Sequence, residues 1–149
     1  MSTLPAFIQA DDPDHPGWQS WTLSDPTRFN ALLGKMLVRR NGAMAQVRMF
    51  PEHRHTNLQN NVHGGVTLAF IDVALFAGSR MFGLIEAGAA VTLDLSVQFI
   101  GAGTPAAQLD AEVELLRETR RLLFLRGLVV QGEERVAAFA GTIRKPTAR

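Results

Sequence analysis

One acid stands alone in the most apolar stretch of this chain. Asp72 interrupts the run from Val66 to Ser79, which otherwise holds Val, Leu, Ala, Phe, Ile and Gly with Thr67 and Ser79 as its mildly polar members. Burying a carboxylate is costly unless it is paired or put to use. Just upstream, an Asn-rich polar loop beginning at Asn57 runs into His63-Gly64-Gly65, where a helix is expected to start. The first amides of a helix have no internal partners and carry the positive end of its dipole. Glycines there let another group come close to the backbone. Such an end can hold developing negative charge, as an oxyanion hole does. From the glycines alone, a tight loop-to-helix turn is the plainer explanation. For Asp72, a tie to a buried amide or an Arg weighs evenly against a chemical role.

The spacing of these groups carries a prediction. Gly64 and Asp72 are eight residues apart, about 12 Å along a helix at about 1.5 Å per residue. They are also expected to point to nearly opposing faces. One helix then cannot bring both to the same small substrate. If they serve one reaction, Asp72 must come from a second copy of the chain, and a symmetric dimer with two composite sites follows.

Other candidates are less specific. His63 can donate a hydrogen bond to the loop or act in proton transfer, although a single His at a helix start is more often structural. His53, His55 and His63 could in principle bind a metal, and His53 and His55 share one side if extended, but no fourth ligand has suggestive spacing, so no metal site is expected. Arg117, Arg120, Arg121 and Arg126 surround a hairpin tip and can meet phosphates of a nucleotide-bearing ligand, with a solvated charged turn as the commoner alternative. Gly101-Ala-Gly103 lacks the rest of a dinucleotide fingerprint.

These residues sit in a chain of 149 residues, 46% hydrophobic, with a formal charge of +1 and no cysteine. That size suits one domain with a real core. The charge gives no reason to expect a nucleic acid partner. The lack of cysteine excludes disulfides, thiolate zinc sites and a cysteine nucleophile, and fits a cytoplasmic setting. The opening residues lack the basic and apolar regions of a secretory signal. Asp72 and Arg80 interrupt the apolar segment before about 18 clean residues, so a soluble protein with no membrane partner is expected.

Residues 1–22 read as an N-terminal tail rich in Pro, Asp, Gly and Gln, anchored by Trp18 and Trp21. Ser24-Asp25-Pro26 opens a short helix through Phe29, Leu32 and Leu33 that stops near Gly34. Ala43 to Phe50 is a first strand, ended by Pro51. A helix spans about 64–82 and is hydrophobic on all sides, as a helix enclosed by other structure is. The period changes after Gly88. Val91, Leu93, Leu95, Val97 and Phe99 alternate with polar residues and mark a strand. Further strands follow over Leu109 to Leu115, Leu122 to Val130 and Val136 to Arg144, with a tip at Glu118-Thr-Arg, a turn at Gln131-Gly-Glu-Glu134 and a short basic tail. Short connections imply antiparallel neighbours. The fold class is α+β: an antiparallel sheet of about five strands wrapped around one long central helix, over residues 23–149.

Asn57, His63-Gly64-Gly65, Asp72 and the strand Val91 to Phe99 together resemble the hotdog-fold acyl-CoA thioesterases, closest to their PaaI-like (phenylacetate-degradation) branch. The similarity runs from about Leu33 to Ile143, including the closing strand Ala137 to Thr142. The resemblance implies a hotdog domain over 23–149 that hydrolyses acyl-CoA without metal or covalent cofactor, in a homodimer at least and commonly a homotetramer. It puts the Gly64 amide and Asn57 at the thioester carbonyl. It makes Asp72 of the other chain the group that orients or deprotonates water, or else the nucleophile. Thr92 helps hold that water, His63 shapes the loop, and Gly65, Arg120 and Arg121 fall to substrate binding. Four positions depart from the family pattern: Asn60 replaces a glycine, Gly101-Ala102 an Arg-Pro, and Ala106 another glycine. The alternative is a hotdog protein that binds acyl-CoA without hydrolysing it. A hydratase on the same fold ranks below both, because no His follows Asp72. Phe70, Phe76, Met81 and Phe82 either line an acyl tunnel or belong to the core.

Overall fold

The computed structural model describes residues 7–85 and 90–146. Residues 1–6 of the expected tail, Gly88, and residues 147–149 of the basic end lie outside them. One long helix, α1 (Gly64–Met81), packs against a single antiparallel sheet of eight strands. The strands are β1 (Phe7–Asp11), β2 (Gln19–Leu23), β3 (Met36–Asn41), β4 (Met44–Met49), β5 (Val91–Phe99), β6 (Leu109–Glu118), β7 (Leu122–Gln131) and β8 (Glu134–Arg144). Their order across the sheet is β1-β2-β3-β4-β6-β7-β8-β5. This is the hotdog arrangement, with more strands than the expected five or so.

The additional strands come from two places. Residues 7–11 and 19–23, expected in a surface tail, form a hairpin that extends the sheet beyond β3. The two tryptophans do anchor it, each being 6% exposed. Trp18 lies between the guanidinium groups of Arg39 and Arg48, 4.3 and 4.4 Å from its ring centre. Trp21 packs on Phe7 at 4.5 Å between centroids. The strand β3 pairs along its whole length with β4, so that Met36 faces Met49 and Asn41 faces Met44. The expected short helix is a 3-10 helix, Phe29–Leu33, and Gly34 ends it at φ 77°.

By length and composition α1 would suffice to cross a bilayer, yet half of it is enclosed by its own chain. Phe70, Ile71, Ala74, Leu75 and Ala77 are fully buried and meet Val47, Met49, Val113, Leu123 and Ile143 from the sheet. Each large side chain so buried contributes about 1.5–3 kcal/mol. Small residues set the distance of approach: a Cβ on Gly78 would stand 3.1 Å from Val113. Burial fades on one side of the helix, where Gly65 and Leu68 are exposed and Asp72 and Phe76 are half-buried.

Candidate functional site

Among the described residues, Asp72 is tied neither to a backbone amide nor to an arginine. Its Oδ1 accepts a hydrogen bond from the Thr92 hydroxyl at 2.7 Å. Thr92 reaches it through an irregularity in β5. Thr92 pairs with Ile143 and Asp94 with Thr142, so Leu93 is an extra residue in the ladder. A bulge of this kind changes which face the following side chains take. Strict alternation from Leu95 and Val97, which pack on the core, would turn Thr92 away from the helix. The bulge instead aims it at Asp72 and leaves Leu93 53% exposed. The simple alternation expected over Val91 to Phe99 therefore breaks at the residue that contacts the acid.

The other half of the site is the start of α1. His63 caps the helix: its Nδ1 accepts from the Gly65 N–H at 2.8 Å. A Cβ on Gly65 would stand 3.0 Å from that ring nitrogen, so any larger residue would push the capping ring by a few tenths of an ångström. Gly64 has no such reason. Neither glycine has positive φ, which removes the tight-turn explanation, and a Cβ on Gly64 would meet only the Phe99 ring at an ordinary 3.6 Å. The Gly64 N–H meets no acceptor among the described residues.

The loop before the helix is built on Asn57. Its Oδ1 accepts from the N–H groups of Gln59 (2.9 Å) and Asn61 (3.1 Å). Asn60 takes φ 61°, the positive value that a glycine would hold there with less strain. A bridge between Thr56 and Val62 closes the base of the loop. His55, 4% exposed, braces it from behind. The His55 carbonyl accepts from the His63 N–H at 2.8 Å, its Nδ1 accepts from the Glu52 N–H at 2.9 Å, and its Nε2 donates to the Leu32 carbonyl at 2.6 Å. With both ring nitrogens committed, His55 has none left for a metal, and among the described residues no group of three His, Asp or Glu is placed to hold one.

Asn57, His63, Gly64 and Gly65 thus form one corner of the chain, and Asp72 with Thr92 another. The axial distance of about 12 Å between them stands. The expected opposition of faces does not: eight residues at about 100° each leave about 80° beyond two full turns. Gly65, Leu68 and Asp72 lie along the same exposed side of α1. Within the helix, the case for a second copy rests on the axial distance and not on opposed faces. Arg120 and Arg121 are exposed at the β6–β7 tip. Through the pairing of Leu122 with Arg144 and of Arg144 with Val91, that tip lies at the Thr92 end of the sheet, away from the Gly64 corner of the same chain. Of the suggested tunnel residues, Phe70 is core at 0% exposure, and Phe76, Met81 and Phe82 are partly buried against it. Sequence spacing singles out neither Phe99 nor His55 as a site residue. Phe99 reads as one more member of a repeat, and the spacing of His55 suggests only a weak metal ligand, not a brace of the loop.

A profile of the Thioesterase superfamily matches residues 59–138, which include the His63 corner, Asp72 and Thr92. No curated protein matches. Among solved structures, the TT0310 protein of Thermus thermophilus is similar at 27% identity and TM-score 0.67, covering 83% of this chain and 99% of that one. A mutant of the phenylacetic acid degradation protein PaaI from the same organism has 27% identity and TM-score 0.67, with coverage of 81% and 99%. The PaaI protein of E. coli shares the fold, at 21% identity, TM-score 0.66 and coverage of 77% and 86%.

Proposed function

Since the chain belongs to the thioesterase superfamily, with the hotdog fold of its PaaI-like branch, we propose that it hydrolyses acyl-CoA to a free acid and coenzyme A at a site shared by two copies. The observation that carries this reading is the pair of unspent groups: a carboxylate held by Thr92, and a helix-terminal Gly64 amide without an acceptor among the described residues. The thioester oxygen takes the Gly64 N–H and the Asn57 side-chain amide. The Asp72–Thr92 pair of a second copy holds a water against the carbonyl carbon. Asp72 takes a proton as the water oxygen bonds to carbon, the carbon–sulfur bond then breaks, and the thiolate leaves with that proton. No metal or covalent cofactor is required. A route in which Asp72 itself attacks, forming an anhydride that water then opens, uses the same groups.

A second copy is supported by the edge of the sheet. Among the described residues, β5 pairs only with β8 and exposes Val91, Leu93 and Phe99, at 42, 53 and 54%. A long apolar edge is a template for another chain. A homodimer is the minimal unit of this proposal, and a homotetramer and a cytoplasmic setting belong to it. The phosphates of coenzyme A go to Arg120 and Arg121, which make no ion pair among the described residues.

Asp72→Asn keeps the size of the side chain and removes its basicity. Thiol release from a panel of acyl-CoAs is expected to fall about 10²–10⁴-fold in kcat, with the melting temperature unchanged. Turnover at the parent rate overturns the mechanism. Saturable acyl-CoA binding without any thiol release by the parent protein overturns the hydrolytic function.

A further inference from the structure

Beside the His63 corner lies a trough of about 400 Å³, between the 3-10 helix Phe29–Leu33 and the first two turns of α1. Its walls are Phe29, Leu32, Leu33, Val66 and Ala69, with Arg54 and His55 also lining it, and His63 and Gly65 stand at one end. Phe29 and Leu32 keep 66% and 56% of their surface in water. Apolar side chains so exposed beside a chemical site mark a binding surface more often than chance exposure. The trough is also braced. His55 fixes the Leu32 carbonyl through its ring and the His63 amide through its own carbonyl, so one buried residue sets the lip and the capping histidine together.

We propose that this trough receives the acyl group of the thioester, and that Ala69, Phe29 and Leu32 determine which acyl groups are taken. The inference rests on the reading of the Gly64 corner as the carbonyl site. A carbonyl held there has two substituents. The sulfur side continues into a long polar carrier, and the acyl side is apolar. The trough is mainly apolar, with the Arg54 guanidinium paired to Glu52, begins at the residues next to Gly64, and falls in the size range of small-molecule pockets. It has room for an aromatic ring or a medium-length chain, and acetyl would leave most of it empty. Each methylene entering it strengthens binding about fourfold, from about 0.8 kcal/mol per buried CH2, until the trough is full.

The test compares acetyl-, hexanoyl-, octanoyl- and phenylacetyl-CoA in the parent protein, in Ala69→Phe, which fills the trough, and in Leu32→Ser, which removes an exposed wall and leaves the core alone. Affinity is measured by calorimetry in an Asp72→Asn background and turnover by thiol release, with particle mass by light scattering. The expected result is a loss of at least tenfold in octanoyl and phenylacetyl affinity and kcat/KM in both variants, with acetyl-CoA held within twofold. Unchanged chain-length profiles in both variants overturn the assignment. So does a change of particle mass in Leu32→Ser, which makes the trough an interface between copies. Chain-length-dependent binding that the variants abolish, in a parent protein that releases no thiol, upholds the trough and overturns the hydrolytic reading. A parent protein that binds none of the four overturns both.

Discussion

The two edges of the sheet are built differently. At one end, β1 is five residues long and reads Phe-Ile-Gln-Ala-Asp. Only Ile8 is a large apolar residue left exposed there, at 49%. Its turn is held by Asp12, buried and paired with Lys35 at 2.7 Å. Short, polar, charge-anchored edges resist pairing with other chains. At the other end, β5 is nine residues long, exposes Val91, Leu93 and Phe99, and carries the threonine that holds Asp72. One edge closes the molecule. The other leaves both an apolar strand and half a chemical site facing outward. On the function proposed above, completing the sheet and completing the site are one requirement, which a second copy would meet.

The largest effect expected from breaking this contrast comes from charging the open edge. Val91→Lys with Leu93→Lys should turn the assembly into monomers by light scattering and lower kcat/KM by about 10²-fold or more, as loss of a catalytic group does. Ile8→Lys on the closed edge should change neither. Next is Gly64→Pro. Proline suits the first helical position and removes only the N–H, and the extended His63 before it (φ −60°, ψ 136°) accommodates it. Loss of one oxyanion donor costs about 10²–10³ in kcat, and circular dichroism should show the helix intact. Thr92→Val should cost about ten- to a hundredfold, since a hydrogen bond to a charged group contributes about 1.5–3 kcal/mol. The octanoyl and acetyl rates should fall together, which separates this effect from changes in the trough.

The smallest effect belongs to the closed edge. The Lys35 ammonium, hydrogen-bonded to Asp12, is the main cause that lowers its pKa from 3.8 to about 2. A carboxyl depressed in the folded state stabilises it fully above the unfolded pKa, and that contribution fades as pH falls from about 4 toward 2. Lys35→Met should therefore melt below the parent at pH 7, with the gap closing near pH 2, while particle mass and kcat at pH 7 stay unchanged.

The parts of this molecule dictated by local pattern were legible in the sequence. The helix at 64–81, the strands from β5 to β8 and their turns follow from hydrophobic period and from glycine placement. Asp72 declared itself by its cost, and Asn60 stood out only as a departure from the family pattern. What escaped depends on pairing. The sequence Met36 to Asn41 has no strong alternation, and only the Asn41-Gly42 turn signal hints at β3. Residues 7–11 are strand only because β2 holds them. The bulge at Leu93 is invisible to a strict two-residue period, yet it brings Thr92 to Asp72. His55 is a matter of tertiary hydrogen bonds alone.

The shared site can be tested most directly by mixing two inactive proteins. Asp72→Asn chains keep the Gly64 amide, and Gly64→Pro chains keep the acid. After denaturation and refolding at equal ratio, half of the dimers are mixed, and each has one of its two sites intact. About one quarter of parental thiol release should return. A mixture as inactive as its two components, with mixed dimers confirmed by mass, would mean that each chain carries its own acid and amide to the substrate, contrary to the geometry of α1.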